Sequence, residues 1–452
     1  MSFMSKKVGM ISLGCPKNQV DGEIMLSKLA DNGFEITNDV DGADVVIVNT
    51  CGFIEDAKKE AIENILDMVE LKKEGVIRKI VVTGCLAERY RDEVLSEIPE
   101  VDAVVGIGSN SDICEVCEKV CGGEEDIKTF GEKTCLPLDG KRMLTTPSYY
   151  AYIKIGEGCS NNCTYCAIPS IRGKYRSRTP ESILEEAKTL VDGGVKELIV
   201  VAQDTTRYGE DLFGKCALPA LLTSLSKIEG LEWIRVLYLY PERLSDEIID
   251  TFANNDKIVN YMDIPIQHCN SDILRRMNRR GSKEELTALI TKIREKIPDV
   301  VLRTTLITGF PGETEEQFSE LSEFVKEMKF DRLGCFAYSQ EEGTPAARML
   351  NRVDTEEAQR RAELVMEIQT QVMDEFNDSR MGDTVEVLCD GYDVQAMSYV
   401  GRSYAESPGI DGCIFFTAER DVEPGNFVMV RITGTMDGDL TGEAVEELSE
   451  EE

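Results

Sequence analysis

Three short apolar runs early in the chain end alike, in S-L-G-C-P, V-N-T-C-G and V-T-G-C-L, and this recurrence constrains the fold more than any other feature. Cys15, Cys51 and Cys85 stand 36 and 34 residues apart, about the length of one strand–helix unit. The runs Val8–Leu13, Val45–Asn49, Ile80–Thr83 and Val101–Ile107 are rich in Val and Ile. Helical stretches such as Gln19–Asn32 and Ile54–Lys73 lie between them. Apolar strands alternating with helices predict an α/β fold, a doubly wound parallel sheet with helices on both faces. Parallel strands bring their C-terminal ends to one edge, where open α/β folds place their ligands. Three thiols distant in sequence are therefore expected at one spot. Three buried structural cysteines would satisfy the same pattern.

A second trio lies in G-C-S-N-N-C-T-Y-C-A-I-P, where Cys159, Cys163 and Cys166 are spaced C-x₃-C-x₂-C among Gly158, Asn161, Asn162 and Pro169. Such a loop can turn its thiolates inward. Iron–sulfur clusters are normally held by four cysteines, so three thiolates leave one iron of a four-iron cluster open to a substrate or cofactor. Cys114, Cys117 and Cys121 show the reversed spacing, C-x₂-C-x₃-C, in S-D-I-C-E-V-C-E-K-V-C-G-G. That segment reads as a helix capped near Ser111 or Asp112 and ended by Gly122, its cysteines on a core-facing stripe.

A second series of strand–helix units begins at Tyr149. Its strands are Tyr149–Ile155, Glu197–Val201, Trp233–Leu239, Val259–Ile264, Val300–Leu306 and Arg332–Ala337; Pro180–Asp192, Glu284–Lys296 and Thr314–Met328 are helical. Six repeats are too few for a closed eight-stranded barrel and predict a partial, laterally open one. The Cys159 loop then follows its first strand, at the mouth where barrel chemistry sits. A long helix, Thr355–Asn377, leads out. From Met381 short alternating strands between Gly, Pro and Asp turns predict a small antiparallel barrel. The expected organisation is thus 1–125, a linker over 126–147 with little regular structure, 148–378, 379–446 and an acidic tail at 447–452.

Charge and composition exclude several classes. With 50 basic and 84 acidic residues the net charge is −34, which argues against nonspecific binding to a polyanion and for a basic partner. A single histidine, His268, rules out His-rich zinc sites and disfavours a Ser-His-Asp triad. Fifteen cysteines without a signal-peptide pattern or a membrane-length apolar run suggest a cytoplasmic protein that uses thiols as metal ligands and core residues.

Together, the three N-terminal cysteines, the C-x₃-C-x₂-C barrel and the small β-barrel resemble the radical SAM methylthiotransferases over nearly the whole chain. The resemblance implies a central partial (β/α)6 radical SAM barrel, a TRAM-type C-terminal β-barrel, and two [4Fe-4S] clusters. Cys159, Cys163 and Cys166 would hold the cluster that binds S-adenosyl-L-methionine (SAM), and Cys15, Cys51 and Cys85 an auxiliary cluster. The first would cleave SAM to a 5′-deoxyadenosyl radical that abstracts hydrogen from an unactivated carbon. The second would carry a sulfide that SAM methylates before transfer. No catalytic residue beyond the cluster ligands is implied.

In A-Q-D-T-T, Gln203 and Asp204 end a strand and either supply polar contacts to SAM or substrate or simply close that strand. In I-T-G-F-P-G-E-T, Gly309 and Gly312 allow close backbone approach to SAM, or simply join a strand to a helix. His268, in D-I-P-I-Q-H, is either part of a family segment or a hydrogen-bonded core residue. Two basic runs, Arg172, Lys174, Arg176 and Arg178, then Arg275, Arg276, Arg279 and Arg280, either steer an anion or are solvated surface.

The family divides between enzymes acting on adenosine in transfer RNA and a branch that modifies the β-carbon of an aspartate in ribosomal protein S12. Residues from Met381 to the end carry 17 acids and 3 bases, and an RNA-gripping barrel should be basic. G-R-S-Y-A-E-S-P-G-I-D-G, Gly401 to Gly412, resembles the S12-modifying branch. The expected partners are S12 and a flavodoxin- or ferredoxin-type electron donor, with the chain monomeric. A transfer RNA methylthiotransferase and a non-catalytic iron–sulfur carrier are the alternatives.

Overall fold

In the computed structural model, which describes residues 5–445, the N-terminal runs form β1 (Lys7–Ser12), β2 (Glu35–Thr37), β3 (Val45–Thr50), β4 (Lys79–Gly84), β5 (Ala103–Val105) and β6 (Ile127–Thr129). They make one parallel sheet in the order β2-β1-β3-β4-β5-β6. Successive side chains on a strand point to opposite faces, so each strand feeds two cores. Val46, Val48, Ile80 and Val82 pack under helices α2 (Glu55–Lys73) and α3 (Cys85–Glu97). Val45, Ile47 and Val81 pack under α1 (Pro16–Asp31) and α4 (Ile113–Cys121). The strand Ile127–Thr129 corrects the linker expectation: pairing with Ala103–Val105 draws the start of that polar stretch into the sheet as its edge. Three alternating residues leave too short a pattern to stand out from a loop.

The second series forms β7 (Tyr150–Lys154), β8 (Gly156–Glu157), β9 (Arg176–Ser177), β10 (Glu197–Val201), β11 (Trp233–Val236), β12 (Ile258–Asp263), β13 (Val301–Thr308) and β14 (Arg332–Ala337). Six of these make an open parallel sheet in sequence order from β7 and β10 to β14, a partial barrel. The outer face is buried under helices, including Pro180–Asp192 and Glu315–Met328. The opposite face, with Ile199, Val201, Trp233 and Tyr261, packs on Val20 and Ile24 of α1 and on Leu388 and Ala405 of the C-terminal region. The two-residue ribbon of β8 and β9 brackets the cysteine loop.

The helix Thr355–Ser379 leads to five strands, β15 (Thr384–Asp393), β16 (Ser398–Arg402), β17 (Ile414–Thr417), β18 (Phe427–Met436) and β19 (Asp439–Ala444), closed as a barrel in the order β15-β16-β17-β19-β18. The acidic tail at 447–452 lies outside the described residues.

Candidate functional site

The N-terminal trio meets at the C-terminal edge of the first sheet because register puts it there. Thr50 pairs with Gly84, so Cys51 and Cys85 leave neighbouring strands side by side, and Cys15 caps α1 one strand away. The approach is tight enough to require glycine at two points. A Cβ at Gly14, whose φ is +92°, would stand 2.7 Å from Cys51 Cβ; one at Gly84, φ +93°, would stand 2.4 Å from the Thr50 carbonyl oxygen. Asn18 ties the loops together from beneath, donating to the Leu13 carbonyl at 2.8 Å and to that of Thr50 at 3.3 Å.

The second trio sits in the loop between β8 and β9. The Cys159 amide donates to the Gly173 carbonyl at 3.0 Å and the Cys166 amide to that of Cys163 at 3.1 Å. Cys163 Sγ and the Tyr240 hydroxyl share a hydrogen bond of 3.0 Å. Asn161, between two of the cysteines, donates to Asp204 at 2.8 Å and accepts from Arg207 at 2.8 Å. Beside this loop opens a depression of about 570 Å³, lined by Ser160, Asn161, Arg207, Tyr240, Arg243 and Arg280 among others.

One side chain reaches the first trio from the helix that follows the second. Arg172 ends the short helix α5 (Ile168–Arg172) that follows Cys166, and its side chain is 1% exposed. Its Nε donates to Cys85 Sγ at 3.4 Å, its Nη1 to Asp21 at 2.9 Å and Glu157 at 3.0 Å, and its Nη2 to Asn18 at 3.3 Å. Lys154 bonds the same Asp21 and Glu157. Ala167 and Ile171 pack directly on Cys85.

Burial shapes the thiols. It pushes Cys85 up to about 12, with Arg172 pulling the other way, and Cys159 up to about 11. It likewise holds Cys51 and Cys166 above the ordinary thiol range. At Cys15 burial is outweighed by Lys17, Arg172 and two backbone amides, and the thiol falls below its ordinary value. Among the described residues no cysteine is in a disulfide, and no three His, Cys, Asp or Glu converge as ligands of a single ion. Six free thiols in two trios suit instead a body with several metal atoms, each taking one thiolate. Their donor chemistry fits an iron–sulfur cluster at each trio.

Of the residues expected at SAM, Asp204 reaches the cysteine loop and Gln203 the strand that leads into it. Gln203 donates to Glu157 at 3.2 Å and leaves its buried Oε1 without a partner; Asp204 is taken up by Asn161 and Thr206. The close approach that Gly309 and Gly312 permit is made by the protein itself. A Cβ at Gly309 would meet Ala358 Cβ at 2.2 Å, and one at Gly312 would meet Arg276 Nη1 at 2.0 Å. His268 is buried, its Nδ1 accepting from the Asn270 amide at 2.9 Å.

The basic runs divide differently from either expectation. Arg172 is internal, Arg178 is buried against Asp139 and Glu186, and Arg279 is buried against Glu242 and over the Tyr240 ring. Arg275 and Arg280 remain exposed. Composition marks these residues as cations but not as internal struts, which depend on acids far away in sequence. The sequence marks Arg172 only as one member of a basic run and does not mark Lys17 or Tyr240 at all. Their nearness to the cysteine motifs was the signal that could have found them.

Profiles of three families match the chain: the Uncharacterized protein family UPF0004 over residues 7–106, the Radical SAM superfamily over 153–325 and the TRAM domain over 381–445. The chain is 50% identical over 439 residues to a ribosomal protein uS12 methylthiotransferase, RimO, of Lachnoclostridium phytofermentans, covering 97% of this chain and all of that one. It is 48% identical over 443 residues to the protein of the same name in Clostridioides difficile, covering 98% and 100%. Among solved structures it shares its fold with the radical SAM methyltransferase TsrM of Kitasatospora setae, at a TM-score of 0.57 and 15% identity, covering 76% of this chain and 77% of that one.

Proposed function

This chain belongs to the ribosomal protein uS12 methylthiotransferases of the radical SAM superfamily, and from that premise we propose how its residues perform the reaction. Cys159, Cys163 and Cys166 hold one [4Fe-4S] cluster, and Cys15, Cys51 and Cys85 a second. Loaded with both and with SAM, such a site supplies hydrogen abstraction from an unactivated carbon and a sulfur atom already methylated for transfer. The substrate carbon is the β-carbon of an aspartate in S12. The observation that carries this reading is Arg172, which follows Cys166 by six residues in sequence and donates to Cys85. It ties the helix that follows one trio to a cysteine of the other, as two sites acting on the same carbon require.

The protein's own groups bind, orient and exclude water. Asp204 and Arg207 clamp Asn161 and so fix the loop that carries the first trio. Gln203 offers its unpartnered Oε1 to SAM beside that loop. Glu157, held well below the usual carboxylate range because Arg172 and Lys154 outweigh its burial, keeps a closed set of charges between the trios and needs no water to solvate it. A net charge of −34 suits S12, a basic protein, better than transfer RNA. The working unit is a monomer reduced by a flavodoxin- or ferredoxin-type donor, with functional regions at 1–125, 148–378 and 379–446.

The test offers anaerobically reconstituted protein, with SAM, sulfide and reductant, both S12 and transfer RNA, followed by mass spectrometry of each. A methylthio group on an S12 aspartate is expected. The same mass on an adenosine would overturn the choice of substrate, and modification of neither without SAM cleavage would overturn the enzyme itself.

A further inference from the structure

Lys17 is a buried cation with no carboxylate partner; the acid it acts on is the Cys15 thiol two residues before it. It is 7% exposed, yet among the described residues no carboxylate lies within ion-pair distance of its Nζ, whereas its buried neighbours Arg172 and Lys154 are both neutralised by Asp21 and Glu157. Its Nζ stands over the face of Tyr238, 3.4 Å from the ring centroid. A cation–π contact offsets only part of the cost of burying an ammonium. Tyr238 is itself held at φ +63°, a conformation non-glycine residues adopt at a cost and that tends to mark working sites.

The position is more telling than the burial. Lys17 follows Cys15 by two residues, and its partner Tyr238 precedes Tyr240 by two, the residue bonded to Cys163. One short segment at the exit of β11 thus touches Lys17 from the first trio's loop and Cys163 from the second. A carbon that loses hydrogen at one trio and gains sulfur from the other must pass between them, where Lys17 stands.

We propose that Lys17 is the carboxylate receptor of this enzyme: its ammonium pairs with the side-chain carboxylate of the substrate aspartate and holds the adjoining β-carbon between the two cysteine trios. The inference rests on the S12 reading above. A carboxylate is bonded directly to the β-carbon, so an ion pair at Nζ fixes the reacting atom one bond away. It also gives Lys17 the carboxylate that its neighbours Arg172 and Lys154 already have, and it rejects uncharged side chains of the same shape, because a lost partner would leave the lysine buried without one.

The test compares S12 with a form in which the target aspartate is asparagine, using loaded wild-type enzyme, Lys17→Met and Lys17→Arg. Methylthio formation, equilibrium binding of both S12 forms and iron per chain are measured together. Wild type is expected to favour aspartate by about 100-fold or more in kcat/KM and in binding. Lys17→Met should discriminate by less than about threefold at unchanged iron, and Lys17→Arg should recover much of the preference. Equal losses on both S12 forms, or loss of iron from Lys17→Met, would assign the lysine to the cysteine site and overturn the proposal. If wild type modifies S12 but does not prefer aspartate, only this proposal falls. If it modifies no S12, the reading beneath it falls as well.

Discussion

Cys117 and Cys51 show what a cysteine's surroundings decide. Cys117 is fully buried in an apolar cluster with Ile113, Val116 and Val120, and burial holds its thiol well above the ordinary range. A protonated thiol in such a place is a small core residue. Cys117→Ala should leave iron content and activity unchanged and cost about 1 kcal/mol of stability, read by iron assay and urea unfolding. Cys51→Ala should lose the auxiliary iron and keep SAM cleavage, and Cys163→Ala should do the reverse; loss of iron with Cys117→Ala would contradict the distinction. Gly84 is the other residue on which the first trio turns. Its positive φ and a Cβ contact at 2.4 Å make Gly84→Ala destabilising by about 2–4 kcal/mol, with iron lost from the N-terminal trio in quantitative iron and sulfide analysis. The cysteine motifs and their partners in periodicity were legible in the sequence. That Gly309 and Gly312 would be filled by Ala358 and Arg276 was not, since a glycine's freedom reads the same whether a ligand or a helix uses it.

At the scale of elements, α5 does more than its five residues suggest. It closes the cysteine loop and delivers Arg172 into the N-terminal sheet's edge. Removing one member of a buried charge set leaves the others uncompensated, so Arg172→Met should destabilise by about 3–5 kcal/mol in urea titration. Arg172→Lys should fail to restore it, because an ammonium lacks the fork that reaches Cys85, Asp21, Glu157 and Asn18 together. A fully stable Arg172→Met would show that the two halves hold together without it. The element pattern itself was readable: the helix Pro180–Asp192 and the strands Glu197–Val201 and Arg332–Ala337 fall where periodicity puts them. The edge strand Ile127–Thr129 was not, because its pairing is with Ala103–Val105 and its own three residues are only partly apolar.

Across the whole molecule, the C-terminal barrel is docked by the segment Gly401 to Gly412. Arg402 bonds Glu197 at 2.8 Å, Tyr404 accepts from Arg235 at 2.7 Å, Glu406 pairs with Arg332 at 3.0 Å and Asp411 accepts from Tyr261 at 2.6 Å. Trp233 and Phe427 add an edge-on ring contact at 4.8 Å. The segment that resembles the S12-modifying branch is therefore built into the joint between barrels. Glu197 is the hub. Burial would raise its pKa, but Arg402 and Arg235 outweigh that and hold it below the ordinary carboxylate range. A depressed carboxylate stabilises fully above its unfolded value, about 4.3, and loses that contribution as pH falls through its folded value. Glu197→Gln should therefore cost about 3–5 kcal/mol at pH 7, and the gap from wild type should shrink as pH drops below about 4.3. Unfolding midpoints across pH for both proteins would check this; a gap independent of pH would overturn it.

Local pattern alone determined the parallel sheet, the open six-stranded barrel, the small closed barrel and the two cysteine trios, because strand alternation, helix periodicity and motif spacing are written within a few tens of residues. Only the tertiary structure decided that the helix after the second trio packs on Cys85 of the first, that Arg172 and Arg402 are internal struts and that, among the described residues, Lys17 has no carboxylate partner. Those facts rest on partners 87 residues apart for Arg172 with Cys85 and 205 apart for Arg402 with Glu197. A buried charge is defined by what meets it across the fold, and no local run of sequence carries that information.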